Sequence, residues 1–111
     1  MEKNIQIGML YEFYGKLLTE KQAFVIDSYY NNDLSLSEIA DEIGITRQGV
    51  QKQIKDAEKF LIDCENKLGF VNEFYLNEKR FNKVEELLSK VITKENRNDI
   101  DKVLAIIKKM I

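Results

Sequence analysis

The chain has 111 residues, of which 44% are hydrophobic and 10% are aromatic, so it can bury a core and wholesale disorder is excluded. No apolar run approaches the roughly 20 residues that span a bilayer, and the N-terminus lacks the residue order of a signal peptide. The single cysteine, Cys64, excludes an internal disulfide, and without histidine it is insufficient for a zinc site. The chain also lacks histidine as a general base, the residue that most often has this role. We therefore expect one domain, with or without a helical extension, that acts in the cytoplasm without a cofactor or metal and is not an enzyme.

The formal charge is −2 and the pI is about 5.3, with the charges unevenly distributed. Basic and acidic side chains number three and five in residues 1–35, four and six in residues 36–63, and ten and eight in residues 64–111. Proteins that bind nucleic acid usually carry a basic stripe. This balance argues against tight, non-specific binding to nucleic acid, but it is compatible with a small basic face.

Hydrophobic periodicity is helical along the whole chain, which contains no proline, and this predicts an all-α protein. The first helix is predicted over roughly Ile5–Leu18. Its predicted inward side chains are Ile5, Met9, Leu10, Phe13, Tyr14 and Leu17. Thr19 and Gln22 have the spacing of a capping box, which opens a second helix before a turn at residues 31–33. The predicted inward side chains of that helix are Ala23, Phe24, Ile26, Tyr29 and Tyr30.

Residues 35–55 have the pattern of a helix-turn-helix. Ser35 and Glu38 form a second capping box, which starts a short helix. Gly44 follows that helix where the chain must adopt a left-handed conformation, and Thr46 can cap the next helix by accepting a backbone N–H. The predicted inward side chains are Ile39, Ala40, Ile43, Ile45, Val50 and Ile54. In such a motif the second helix lies in a DNA major groove.

The second helix of the motif continues as a heptad seam, which Gly69 is predicted to end. The seam consists of Val50, Ile54, Ala57, Leu61, Cys64 and Leu68. Phe70, Phe74, Phe81, Val84, Leu88 and Val91 form a further seam. Residues 77–79 interrupt this second seam, so the segment is either one continuous helix or two helices with a break. Asn98 is predicted to cap a last helix. The predicted inward side chains of that helix are Ile100, Val103, Leu104, Ile107 and Ile111.

These elements predict about six helices in two parts. Residues 1–68 form a helix-turn-helix domain with a long recognition helix, and residues 69–111 form a helical extension. The extension packs either on the core of its own chain or on a second copy. We expect a homodimer, because helix-turn-helix proteins commonly present two recognition helices in two-fold symmetry.

Four motifs carry a resemblance to known proteins: Leu18-Thr-Glu-Lys-Gln22, Tyr29-Tyr30, Asp33-Leu-Ser-Leu-Ser-Glu-Ile-Ala40 and Gly44-Ile-Thr-Arg-Gln-Gly-Val50. Their order resembles the promoter-reading fourth region of bacterial sigma factors. With Leu10-Tyr-Glu-Phe-Tyr14, residues 9–62 resemble the YlxM-like family of small bacterial proteins more closely. The resemblance implies a DNA-binding regulatory protein, associated with the signal recognition particle pathway through neighbouring genes. It also implies a nucleic-acid face of Thr46, Arg47, Gln48, Gln51, Lys52 and Lys55.

Arg47 and Gln48 lie at the predicted helix start, from which side chains of such folds reach the edges of guanine and adenine. Lys52 and Lys55 are placed to bind phosphates. The alternative for all four residues is an ordinary solvated helix face, and the nearby Asp41 and Glu42 would repel phosphates.

The remaining candidates have simpler interpretations. The aromatic side chains could stack on single-stranded bases, but their helical spacing favours the core. Tyr11 and Tyr29 are expected to keep their hydroxyl groups at the surface, and Cys64 is expected to pack as a small hydrophobic residue.

Three functions remain open from the sequence. The first is a sequence-specific DNA-binding regulator. The second is an accessory protein of the targeting machinery that binds the protein or the RNA of the signal recognition particle, a role that suits the acidic balance. The third is a structural helical dimer that retains the motif without using it.

Overall fold

The computed structural model describes residues 2–111, which form six α-helices and no β-strand. The helices are α1 (Lys3–Tyr14), α2 (Glu20–Ile26), α3 (Leu36–Ile43), α4 (Arg47–Leu68), α5 (Phe70–Ser89) and α6 (Arg97–Met110). The predicted all-α class and the number of helices are thereby confirmed. None of the helices in residues 2–111 combines the length and apolar character needed to cross a bilayer.

The chain divides into two compact units, Met1–Val71 and Asn72–Ile111. The first unit contains α1 to α4, and the second contains most of α5 together with α6. The functional division after residue 68 and the packing of the extension stay predictions.

Both predicted capping boxes are present. The Thr19 side chain accepts the Gln22 N–H at 3.1 Å, and the Gln22 side chain accepts the Thr19 N–H at 3.2 Å. Ser35 and Glu38 make the same two bonds at 3.1 and 3.2 Å. These bonds satisfy backbone donors that the first turn of a helix leaves unpaired, so they fix where α2 and α3 begin.

The inward face of α1 differs from the prediction. Ile7, Leu10 and Tyr14 are buried, whereas Ile5 is exposed. Phe13 and Leu17 are exposed as well, and residues 15–17 form a 3-10 turn after α1. Apolar side chains surround most of α1, so periodicity alone could not select the face that packs.

The chain after α2 forms a π-helical segment, Asp27–Asn31, that the sequence pattern did not predict. Ser28 is buried, and its carbonyl accepts the Leu34 N–H at 3.0 Å. Val25 and Ile26 are the buried apolar residues here, whereas Phe24 and Tyr29, predicted to face inward, are exposed.

The seam of α4 is buried at Val50, Ile54, Ala57 and Leu61, with Cys64 half-buried against the core. Those five predictions are confirmed, but Leu68 and the following Phe70 are exposed. Between the core positions lies Glu58, which is also buried. Its carboxylate accepts a hydrogen bond from the Tyr30 hydroxyl and forms an ion pair with Lys3 at 3.1 Å. These contacts offset the free energy that a buried carboxylate costs.

The end of α4 is fixed by a hydrogen-bonded network around Glu65. Gly69 adopts the predicted left-handed conformation at φ 67°. The Tyr14 hydroxyl donates to Glu65 Oε1 at 2.6 Å and accepts the Phe70 N–H at 3.1 Å. The same carboxylate oxygen accepts the Val71 N–H at 3.0 Å. Burial, reinforced by the bond to Glu65, raises the pKa of Tyr14 above its usual value.

In the second unit, α5 runs without a break through residues 77–79, which settles the alternative that the sequence left open. Val71 at its start and Phe81 near its middle are buried, and Phe74, Val84 and Leu88 are half-buried. Val91, predicted to continue the seam, lies beyond the helix and is exposed.

The start and the inward face of α6 both differ from the prediction. Asn98 lies inside the helix and does not cap it. The backbone N–H of Thr93 donates to Asn96 Oδ1 at 2.6 Å, and the N–H of Asn96 donates to Thr93 Oγ1 at 3.2 Å. Of the five side chains predicted inward, Ile100, Leu104 and Ile107 are half-buried. Val103 and Ile111 are exposed.

Candidate nucleic-acid interface

The turn between α3 and α4 has the geometry of a helix-turn-helix. Gly44 has φ 71°, the left-handed conformation predicted for it. The backbone N–H groups of Gly44 and Ile45 both donate to the Ala40 carbonyl, at 2.9 and 3.2 Å. Ala40 and Val50 are buried in the same core, so the two helices pack together at this corner.

Thr46 caps α4 as predicted. Its side-chain oxygen accepts the Gly49 N–H at 2.9 Å, which leaves the hydroxyl proton free to donate to a ligand. A β-carbon at Gly49 would lie 3.2 Å from the Thr46 oxygen and 3.4 Å from Ile45 Cδ1. An alanine at position 49 would therefore require a small shift of the cap.

The remaining five side chains implied by the resemblance occupy one exposed face of α4. They are Arg47, Gln48, Gln51, Lys52 and Lys55. Within residues 2–111, only Lys52 of this set has a polar partner, since its ammonium group pairs with Asp56 at 3.3 Å. The structure thus brings the predicted residues together, but whether they bind nucleic acid stays a prediction.

Lys59 extends this face and was missed from the sequence. It is exposed and lies seven residues after Lys52 and four after Lys55, a spacing that places the three lysines on one side of the helix. The same spacing is visible in the sequence and could have placed Lys59 on this face. The outer face of α4 therefore carries a basic strip, Lys52, Lys55 and Lys59, of which Lys52 is partly neutralised.

The surface of α3 has the opposite charge. Glu38, Asp41 and Glu42 are all exposed on this short helix. A phosphate backbone that contacts α4 would be repelled where it approaches α3. The basic strip is accordingly narrow, and its contribution to binding is sensitive to salt.

The aromatic residues divide between core and surface. Tyr14 is buried, and Tyr29 is 38% exposed with its ring edge-on to Tyr30 at 5.1 Å. Tyr11, expected at the surface, packs half-buried against the core, and burial raises its pKa. Phe13 and Phe24 lie at the surface instead.

No group of three or more cysteine, aspartate or glutamate side chains in residues 2–111 is arranged to hold a metal ion.

The fold and the exposed face of α4 define a helix-turn-helix protein whose second helix is extended to 22 residues. The chain belongs to the UPF0122 family, described as "Putative helix-turn-helix protein, YlxM / p13 like", which matches residues 1–103. The YlxM-like resemblance is thereby confirmed, and the family is one of helix-turn-helix proteins rather than enzymes.

Curated relatives match over most of their length. A UPF0122 protein of Desulforamulus reducens is 39% identical over 111 residues, covering 100% of this chain and 95% of the relative. One from Clostridium kluyveri is 37% identical, covering 93% of each chain. One from Streptococcus pneumoniae is 42% identical over 86 residues, covering 78% of each chain.

Proposed function

We propose that this protein is a DNA-binding regulator that places the first turns of α4 in the major groove. The observation that carries the proposal is the exposed row Arg47, Gln48 and Gln51 at the start of a helix that Thr46 caps and Gly44 orients. A rigid corner with unpaired long polar side chains is what reading of base edges requires. Such a regulator would act in the cytoplasm, on the bacterial chromosome.

The residues divide into two roles under this proposal. Arg47 binds guanine through two hydrogen bonds and Gln48 binds adenine, which supplies sequence preference. Lys52, Lys55 and Lys59 bind phosphates and supply affinity without sequence preference.

We also propose that the protein acts as a homodimer joined through α6. Val103, Ile106 and Met110 form an apolar stripe along this helix, with Ile106 62% and Met110 77% exposed. Asp99 continues the stripe at one end, and Lys109 lies beside Met110 at the other. An antiparallel pair of α6 helices would cover both stripes and bring Asp99 of each copy close to Lys109 of the other. A second copy therefore fits the stripe in both polarity and charge.

A second candidate function follows from the acidic side chains of α3. Together with the net charge of −2, Glu38, Asp41 and Glu42 favour a basic protein partner over bare DNA. In that case the protein would be an accessory module of the targeting machinery and would bind the protein or the RNA of the signal recognition particle. Retention of that protein or RNA from lysate, with DNA left unbound, would support this candidate over the first.

Duplex binding by fluorescence anisotropy tests the DNA proposal directly. Duplexes that the wild type binds would first be selected from random sequences at low salt. The affinity for these duplexes would then be compared among the wild type, Arg47→Ala and Arg97→Ala, the last at an exposed arginine of α6 as control. Arg47→Ala should weaken binding to the selected sequence by about 1–3 kcal/mol and relax base preference at one position, whereas Arg97→Ala should do neither. If the wild type binds no duplex at micromolar concentration, the protein is not a DNA-binding regulator.

A further inference from the structure

A cleft of about 150 Å³ opens beside the recognition helix. Its apolar lining comes from Tyr29, Tyr30, Leu36 and Ile54. The polar side chains Gln51 and Lys55 of α4 also line it. Those last two residues belong to the exposed face described above. A ligand bound along that face would therefore meet the cleft without leaving α4.

The size and lining of the cleft suit a planar aromatic ring. An apolar cavity of about this volume holds a six-membered aromatic ring in an engineered protein. The exposed Tyr29 ring, held edge-on by Tyr30 at 5.1 Å, offers a stacking surface at the cleft. A base stacked there would place its polar edge within reach of the Gln51 amide.

The charged residues around the cleft favour the side of Lys55 for the phosphate of a bound nucleotide. Glu58 lines the cleft, but its carboxylate is already bound by Lys3 at 3.1 Å and by the Tyr30 hydroxyl. Lys55 lines the same cleft and has no ion-pair partner among residues 2–111. A neighbouring cleft of about 250 Å³ also borders Tyr29 and contains the carboxylate of Asp33, which disfavours a phosphate there.

We propose that the cleft binds one unpaired nucleotide of the nucleic acid that occupies α4. The base stacks on Tyr29, the Gln51 amide bonds to the base edge, and Lys55 binds the phosphate. This inference rests on the proposed function, since the duplex beside the unpaired nucleotide is held by α4. It adds a preference for a duplex in which one nucleotide is extruded, a feature that major-groove reading alone does not give.

The test compares two DNA duplexes of the same selected sequence, one fully paired and one with a single extra thymidine, whose base is one six-membered ring, next to the selected bases. Affinity for both would be measured by anisotropy in one buffer. The wild type should prefer the bulged duplex by about fivefold to 150-fold, the range expected from stacking of one base on an aromatic side chain. Tyr29→Leu should abolish that preference, whereas Tyr29→Phe should retain it.

Tyr75→Leu is the matched control. Tyr75 is also 38% exposed and edge-on to a neighbouring ring, Phe74 at 5.4 Å, but it lies on α5. Circular dichroism of each variant checks folding. A bulge preference that persists in Tyr29→Leu, or that is lost equally in Tyr75→Leu, would overturn the inference. So would equal binding of the two duplexes by the wild type.

Failure of the proposed function gives a different result. If the wild type binds neither duplex, DNA reading by α4 is wrong, and a single-stranded oligonucleotide then tests the cleft alone. Binding of that strand that Tyr29→Leu weakens at least fivefold, and Tyr75→Leu does not, would support the cleft. Absence of binding, or binding indifferent to Tyr29, would reject it.

Discussion

Two lysines on the same face of α4 should contribute unequally to duplex affinity. Lys55 is exposed and has no ion-pair partner in residues 2–111. Lys52 is bound to Asp56 at 3.3 Å, with the two side chains 78% and 51% exposed. A phosphate that approaches Lys52 must compete with that carboxylate, whereas one that approaches Lys55 meets no internal competitor.

The magnitudes follow from counterion release. Loss of one phosphate contact lowers the slope of log K against log salt by about 0.9, which corresponds to about eightfold in affinity at 0.1 M salt. We therefore expect Lys55→Ala to weaken binding about eightfold. A phosphate contact of Lys52 must first break the exposed ion pair with Asp56, which is worth about 0.2–1 kcal/mol. This cost reduces the eightfold effect, so Lys52→Ala should weaken binding only about 1.5-fold to sixfold. Asp56→Asn releases Lys52 and should tighten binding.

Anisotropy titrations of a selected duplex between 0.05 and 0.3 M potassium chloride, roughly the range over which phosphate contacts dominate, measure these effects. Lys83→Ala is the control, because Lys83 also pairs with a carboxylate, Glu86 at 3.6 Å, but lies on α5. Its slope should equal that of the wild type. Equal losses for Lys52→Ala and Lys55→Ala, or a weaker complex for Asp56→Asn, would refute the reasoning.

Three further predictions concern stability and assembly. Tyr14→Phe removes a hydrogen bond to a carboxylate and should lower the free energy of unfolding in urea by about 1.5–3 kcal/mol. Burial raises the pKa of Tyr14 in the folded state, so its contribution to the free energy of unfolding is full below about pH 10 and declines as the pH rises further. Above that pH the free energy of unfolding should therefore fall less steeply with pH in Tyr14→Phe than in the wild type. Equal pH dependence of the two proteins would contradict this. Gly44→Ala should destabilise by about 1 kcal/mol through backbone strain alone, since no atom lies within 4 Å of the added carbon. Gly8→Ala, equally open but inside α1, should stabilise by about 0.5–1 kcal/mol, and the same sign for both in urea would contradict the argument. Ile106→Glu should convert a dimer to a monomer in light scattering, whereas Ile5→Glu, also at an exposed isoleucine, should not; a dimer that survives Ile106→Glu would reject α6 as the interface.

The features that were predicted from the sequence are those that neighbouring residues determine. Thr19, Ser35 and Thr46 cap helices through bonds to residues three positions away. Gly44 and Gly69 adopt left-handed conformations at the ends of helices. These interactions depend on one turn of chain, so a linear pattern contains all the information needed to locate them.

The features that were missed depend on contacts between distant residues. The buried face of α1 is selected by its packing on α4, and Tyr14 finds its partner Glu65 51 positions away. Glu58 carries a charge, yet it is buried because Tyr30 and Lys3 reach it. Its position four residues after Ile54 and three before Leu61 was the only feature of the local sequence that indicated burial of Glu58. No periodicity rule predicts which charged residue acquires such partners.

The basic strip sets a limit on what one copy of the chain can bind, and this limit connects the DNA proposal to the dimer. Lys52, Lys55 and Lys59 allow about three phosphate contacts, hence a salt slope of about −2.7 for one copy and about −5.4 for two. With a net charge of −2 and an acidic α3, a single copy adds to these phosphate contacts only the base-edge bonds proposed for the start of α4 and the contacts of its cleft. If the DNA proposal holds, we therefore expect stable binding to place both recognition helices on one duplex. The salt slope should fall by about half when Ile106→Glu separates the copies, while the fold measured by circular dichroism is retained. A wild-type dimer with a slope near −2.7, or an unchanged slope in the monomeric variant, would mean that dimerisation through α6 does not bring two recognition helices to one site.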